Sequence, residues 1–262
     1  MTVELEVGEA QMQIAGCTWG LRRDQAAAAD AFDRAGFDTI DVDPGFGPAA
    51  NWESALPVSC LAAGHLFPGG TRLDDPEPDD RAAARRHVLA AIDEAARLGA
   101  EVVYVGAPNP DEQAMSWFAD CVPELAAHST RRGLLLAVEP SPPRGLRTIG
   151  ETREFIESLG VENFHILLDF AHCLLVDEDP VAAIEVCGER LAYVHFNDTD
   201  GVNDNHLGLT DGIFDRRLVE EIVAELRRVG YRRPLAVESA PALPDPLGSA
   251  LKTLEVLKSC GA

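Results

Sequence analysis

Short apolar runs alternate with longer amphipathic stretches along the whole chain, and this alternation restricts the fold more than any other feature. The runs at 12–17, 39–42, 58–62, 102–105, 134–138, 165–168, 191–194 and 235–237 are β-branched or leucine-rich. Gly, Pro or a polar residue bounds each of them, as expected of strands covered on both faces in a parallel sheet. Helical patterns fill the intervals. Residues 80–98 place Val88, Ala91, Ile92, Ala95 and Leu98 on one face, and residues 113–131, 151–158, 216–229 and 247–258 read the same way. Gly36, Gly99, Gly133, Gly160 and Gly230 stand where a helix should end in a left-handed residue. Eight strands in 262 residues is about 33 residues per unit, which predicts an α/β chain folded as one (β/α)8 TIM barrel over residues 1–262. A doubly wound open sheet is the rival. It usually carries a glycine-rich phosphate turn after its first strand, and Thr18-Trp19-Gly20 is not one. The segment 68–80, rich in Pro, Gly and Asp, reads as a long loop over one end of the barrel.

Composition narrows the partners. With 46% hydrophobic residues the chain can fill a sizeable core. Its net charge of −22 repels polyanions, so no nucleic-acid partner is expected. No apolar run approaches the roughly 20 residues of a membrane span, so no membrane partner is expected either. Residues 1–10 carry glutamates and lack the basic-then-apolar order of a signal peptide, which makes the cytoplasm the expected location. Cys17, Cys60, Cys121, Cys173, Cys187 and Cys260 are scattered without a CxxC pair and read as reduced thiols. The only lysines, Lys252 and Lys258, lie in the last helical segment, which argues against Schiff-base chemistry.

Four polar residues directly follow apolar runs. Residues 134–138 lead into Glu139, 166–168 into Asp169, 191–194 into His195 and 235–237 into Glu238. In a barrel these positions converge on the carboxyl-terminal mouth, where active sites sit. Three carboxylates and an imidazole gathered there would repel without a cation. One divalent metal resolves this, and the oxygen-rich set suits Mn2+ first, with Mg2+ or Co2+ as alternatives. Four ligands leave two octahedral positions for adjacent oxygens of a sugar-like substrate. The bland alternative for any one of these residues is a helix cap or an arginine pair.

At these positions the sequence resembles the sugar phosphate isomerase/epimerase family, the xylose isomerase-like barrels. The matching pieces are AVEP (137–140), LLDFAH (167–172), YVHFNDTDG (193–201), NDNHLGLTDGIFD (203–215) and LAVES (235–239), with GFDTIDVDP (36–44) matching in general pattern. The resemblance implies that Glu139, Asp169, His195 and Glu238 ligate the metal and that His172 contacts substrate or a second metal. Asp204 and His206 either line the sugar site or hold a further metal, as a D-x-H does in apurinic endonucleases; a solvated loop is the alternative. Trp19 is either an apolar wall for a sugar ring or a core tryptophan. His65 is a candidate substrate contact, and Arg144 a candidate for an anionic group. Asp41 and Asp43 read as salt-bridge partners, and Asp198 and Asp200 as turn residues. His87, His128 and His165 receive no function.

Such a site can polarise a carbonyl, acidify the adjacent C–H and stabilise an enediolate. By resemblance to ketose 3-epimerases, Glu139 and Glu238 are the acid–base pair as well as ligands. Expulsion of a β-hydroxyl from the same intermediate would make a dehydratase or lyase of the inosose dehydratase, dehydroshikimate dehydratase or C-glycoside-cleaving kind. Two departures from the epimerases favour keeping that second reading. Gly145 stands where they carry a glutamate, and Gly201 where they carry an arginine. A nuclease is a poorer fit, because Gly106 ends the fourth run where a further histidine is expected. A non-catalytic binding protein would have little use for the clustered carboxylates. A homodimer or a partner subunit is the expected assembly.

Overall fold

The computed structural model describes residues 11–45 and 56–262. Eight parallel strands close into a barrel in chain order, with the last paired to the first. They are β1 (Ile14–Cys17), β2 (Thr39–Val42), β3 (Val58–Leu61), β4 (Val102–Gly106), β5 (Leu135–Glu139), β6 (His165–Asp169), β7 (Leu191–Phe196) and β8 (Leu235–Val237). Around them run α1 (Gln25–Ala35), α2 (Pro78–Leu98), α3 (Glu112–Arg132), α4 (Ile149–Leu159), α5 (Phe170–Leu175), α6 (Pro180–Cys187), α7 (Arg216–Arg228) and α8 (Pro246–Ser259). The expected (β/α)8 barrel is therefore formed. Residues 1–10, read above for the absence of a signal peptide, lie outside the described residues.

Strand ends differ from expectation in an instructive way. Glu139, Asp169 and His195 lie within their strands rather than just beyond them, because the ladder continues through the pairs Gly106–Glu139 and Asp169–His195. Only Glu238 directly follows its strand. Polar side chains can end these strands because the barrel mouth spares them full burial in an apolar core. Helix α2 takes the last residues of the expected loop, starting at Pro78 with Asp79 and Asp80 in its first turn. Proline suits that position since its missing N–H would have no intrahelical partner, and the acids suit the positive end of the helix dipole. The short helices α5 and α6 carry too few residues to print a 3.6-residue period in the sequence.

Packing forms two shells. Between strands and helices lies the main core, which includes Ile14, Phe32, Val103, Leu136, Ile166, Val194 and Leu235. Inside the barrel the filling is smaller: Ala15, Cys17, Cys60, Ala137, Ala192 and Ala236 surround Tyr104 and Tyr193. At Gly16 a Cβ would come within 2.7 Å of the Phe32 ring, so glycine lets α1 lie directly on β1. Helix ends follow the expected chemistry: Gly36, Gly99, Gly133 and Gly160 are left-handed caps, and Gly230 is also left-handed (φ 78°). All six cysteines are free thiols, buried apart from Cys260. Among the described residues no helix is long and apolar enough to cross a membrane.

Candidate active site at the carboxyl rim

Strand periodicity delivers the site. Along β5, β6, β7 and β8, Ala137, Leu167, Tyr193 and Ala236 face the barrel interior, and each is two residues before Glu139, Asp169, His195 and Glu238 in turn. Alternation of side chains turns all four inward at the mouth. One ligand-type atom from each lies within 4.8 Å of those from the other three. Distant sequence positions are thus gathered as expected.

Each member is held from behind. Asp169 caps α5, its Oδ1 accepting from the backbone N–H of Ala171 (2.8 Å) and His172 (3.1 Å), while Oδ2 accepts from Asn197 Nδ2 (2.6 Å). His195 is fully buried, and its Nδ1 lies 3.2 Å from Glu139 Oε1 and 3.0 Å from Glu238 Oε2. Glu238 Oε1 accepts from the indole N–H of Trp19 at 2.6 Å. Trp19 is therefore neither a simple core residue nor a free wall. It orients a carboxylate, and its ring meets His65 edge-on at 5.2 Å between centroids. Sequence reasoning could not have found this role, because the two residues are 219 positions apart.

A second group adjoins the first. His172 Nδ1 meets the Pro140 carbonyl (3.0 Å), and its Nε2 lies 3.2 Å from Asp204 Oδ1. His206 Nε2 shares the same carboxylate oxygen at 2.9 Å, and its Nδ1 lies 3.4 Å from Glu238 Oε2. Ligand-type atoms of His172, Asp204 and His206 all lie within 4.8 Å of one another. Asp204 and His206 thus stand beside the mouth on a loop, with the Asp204 side chain still 39% exposed. Asp198 holds that loop: its side chain accepts from the N–H groups of Thr199, Gly212, Ile213 and Phe214 at 2.7–3.0 Å. Asp200 accepts from Val202 and Asn203, so both acids are turn residues as expected.

Electrostatics fit a cation site. Burial works against the charged form of His195, yet the Glu238 and Glu139 carboxylates outweigh it and raise its pKa well above the usual histidine range. Against burial, Asp169 and Asp204 raise His172 to about 10, and Glu238 and Asp204 raise His206 to about 12. Glu238 is raised by burial but held well below the usual carboxylate range by His206 and His195. Without a metal, imidazolium charge balances the carboxylates. Three carboxylates and one imidazole with ligand-type atoms within 4.8 Å of one another are a donor set that a hard divalent cation fits.

The remaining candidates flank this centre. His65 Nδ1 pairs with Asp43 at 2.7 Å, and its Nε2 lies 3.4 Å from the Tyr104 hydroxyl. Asp43 is thus the expected salt-bridge partner. Asp41 differs: among the described residues no ion pair involves it, and it points into the barrel interior, where Ser59 and Tyr193 are its donors. Past Gly106 at the end of β4 opens a hollow of about 290 Å3, lined in part by Gly64, Phe67, Asp74, Phe118 and Arg144. Arg144 reaches no carboxylate there and donates to Asn109 Oδ1 at 3.0 Å. At Gly145 a Cβ would approach Met115 Sδ to 2.6 Å, so the glutamate expected of epimerases has no room at this backbone position. Gly201 turns the loop with φ 83°. A larger hollow of about 680 Å3 lies at the opposite end of the barrel, near Glu101, Leu191 and Tyr231, away from the clustered donors.

Fold and site together define a class: a parallel (β/α)8 barrel with an acid–imidazole cluster at its carboxyl rim. The sequence profile of the xylose isomerase-like TIM barrel family matches residues 29–260, and the chain belongs to that family. No curated protein matches. Among solved structures, 3-keto-D-glucoside 4-epimerase from E. coli superposes with a TM-score of 0.78 at 19% identity, covering 95% of this chain and 100% of that one. A D-tagatose 3-epimerase-like protein gives 0.77 at 17% identity, with 95% and 97% covered. D-allulose 3-epimerase from Methylomonas sp. gives 0.75 at 19% identity, with 95% and 98% covered.

Proposed function

We propose that this protein is a divalent-metal-dependent isomerase or epimerase of a sugar or keto-sugar. The observation that carries the reading is the placement of Glu139 and Glu238 on either side of His195 Nδ1, at 3.2 and 3.0 Å, with Asp169 completing the set. Glu139, Asp169, His195 and Glu238 would hold the cation, Mn2+ first among the candidates. When bound, it supplies Lewis-acid polarisation of a substrate carbonyl. Glu139 and Glu238 then exchange the proton on the neighbouring carbon, one removing it and the other returning it, each transfer being worth about 10²–10⁴-fold in rate. The indole N–H engages Glu238 Oε1, while Oε2 faces His195 and His206 and is the oxygen turned towards the cluster. The sugar-epimerase activities named for the structural neighbours support this substrate class. The hollow past Gly106 offers room for the non-reacting part of the substrate, and Arg144 offers a charge for an anionic substituent there.

A lyase is the second reading, favoured by one observation. His172 and His206, both held protonated beside the cluster, can give a proton to a departing β-hydroxyl, which leaves as water. One experiment tests both. Metal-stripped protein is assayed with and without Mn2+ on ketoses and cyclic keto-polyols in deuterated water. Metal-dependent deuterium uptake without water loss supports the isomerase. Water loss supports the lyase, and no uptake with any substrate or metal counts against both.

A further inference from the structure

Deeper in the barrel, at the level of Tyr193, Asp41 is fully buried. Its Oδ1 accepts from Ser59 Oγ at 2.6 Å and from the Tyr193 hydroxyl at 2.8 Å. Its Oδ2 receives only the Cys17 thiol, at 3.8 Å. A thiol is a weak donor, so this oxygen keeps most of its accepting capacity. A complementary deficit lies nearby. His195 commits Nδ1 to Glu139 and Glu238, and its Nε2 is buried without a hydrogen-bond partner. An Asp41 oxygen, Cys17 Sγ and a ring nitrogen of His195 lie within 4.8 Å of one another. A buried donor without an acceptor costs about 1–3 kcal/mol, and the under-used acceptor is the carboxylate beside it. A gap of this size closes with one bridging water, using two bonds of about 2.8 Å, or with a small rotation of the ring.

We propose that Asp41 is the positioning residue for His195. Its carboxylate accepts the Nε2–H, directly or through one water, and so keeps the Nδ1 lone pair directed at the Glu139–Asp169–Glu238 cluster. This rests on the metal reading given above. Without an acceptor at Nε2, only the Nδ1 contacts to Glu139 and Glu238 hold the buried ring, and these do not favour the tautomer with its proton on Nε2. Ligating histidines generally need such an outer partner, and losing it typically costs about 10–100-fold in metal affinity. Ser59 and Tyr193 hold the carboxylate in place, and neither offers His195 an alternative acceptor of comparable strength.

The test compares Asp41→Asn with Ser59→Ala by Mn2+ titration. Asp41→Asn keeps the shape of the side chain but removes its acceptor charge; Ser59→Ala loosens the same network and leaves the carboxylate in place. We expect Mn2+ binding to weaken about 10–100-fold in Asp41→Asn and to stay within about threefold of the parent in Ser59→Ala. Equal weakening in both, or none in Asp41→Asn, overturns the proposal. A second measurement needs no variant to fold and no metal to bind. In the metal-free parent, labelled at histidine with 15N, the His195 Nε2–H should be slow to exchange and shifted downfield by its acceptor. A rapidly exchanging, unshifted proton overturns the proposal even where the titration is silent. A parent that binds no divalent cation but shows the protected proton overturns the metal reading and leaves the Asp41 contact standing.

Discussion

Glu238→Gln isolates charge from shape at the centre of the site. The amide keeps the length of the side chain and an oxygen that can still accept the Trp19 N–H, so the indole has no cause to move. What disappears is the charge between His195 at 3.0 Å and His206 at 3.4 Å. His206 then keeps Asp204 as its anionic partner, and its pKa falls from about 12, where Glu238 is the leading influence opposing burial. His195 keeps Glu139. Both imidazoles can shed a proton rather than stay charged and unpaired, so the cost to folding is expected to be about 1 kcal/mol or less. Turnover should respond differently. Losing one positioned proton transfer costs about 10²–10⁴-fold, or about 3–5 kcal/mol of barrier. The assay is deuterium uptake from solvent into the responsive substrate at saturating Mn2+, beside a Mn2+ titration and urea denaturation. Uptake within threefold of the parent would refute the acid–base role. A loss fully restored by more metal would make Glu238 a ligand only.

Two further outcomes test the supporting structure. Asp198→Ala should cost about 3 kcal/mol, because the N–H groups of Thr199, Gly212 and Phe214 lose their side-chain acceptor at about 1–3 kcal/mol each with overlapping losses, while Ile213 keeps the Thr199 carbonyl; an unchanged urea midpoint would refute the role of Asp198 as the hub of its loop. His165 titrates far from its usual range: burial first, then Arg190 and Arg233, lowers it to about 4. The unfolded chain therefore takes up this proton first as pH falls, so the contribution is complete above about pH 6.5 and is lost on descending towards pH 4. The full shift corresponds to about 3 kcal/mol, and partial exposure reduces the expected loss to about 1–2 kcal/mol. His165→Gln should flatten the fall in urea stability over that window, and equal slopes for parent and variant would remove His165 as its cause.

Much of this was written in the chain. A strand buried on both faces must be apolar, so eight such runs with helical intervals define the barrel before any contact is known. The clustered set was legible for a related reason: a polar residue two positions past an inward-facing Ala137, Leu167, Tyr193 or Ala236 turns into the mouth. Roles that depend on who stands across the barrel were not legible. Asp41 shares the inward parity of β2, yet its partners Ser59 and Tyr193 are 18 and 152 positions away, and a salt bridge was the natural but mistaken expectation. Trp19 was equally opaque. The reach of Asp204 and His206 into the site depends on a loop tied by Asp198 and on a left-handed residue at His206 (φ 40°), which local patterning does not announce.

The division between legible and hidden residues follows the division of labour in the barrel. Glu139, Asp169, His195 and Glu238 sit at strand ends, where the ladder and the packed interior set their direction. Here the cluster also pairs acid with imidazole: His195 lies between Glu139 and Glu238, His206 meets Glu238, and His172 and His206 share Asp204. A mouth carrying several carboxylates can therefore close in a chain of net charge −22, with protons standing where a cation's charge would otherwise stand. The loops instead line the hollow past Gly106, where Arg144 donates to Asn109 and Arg72 pairs with Asp74.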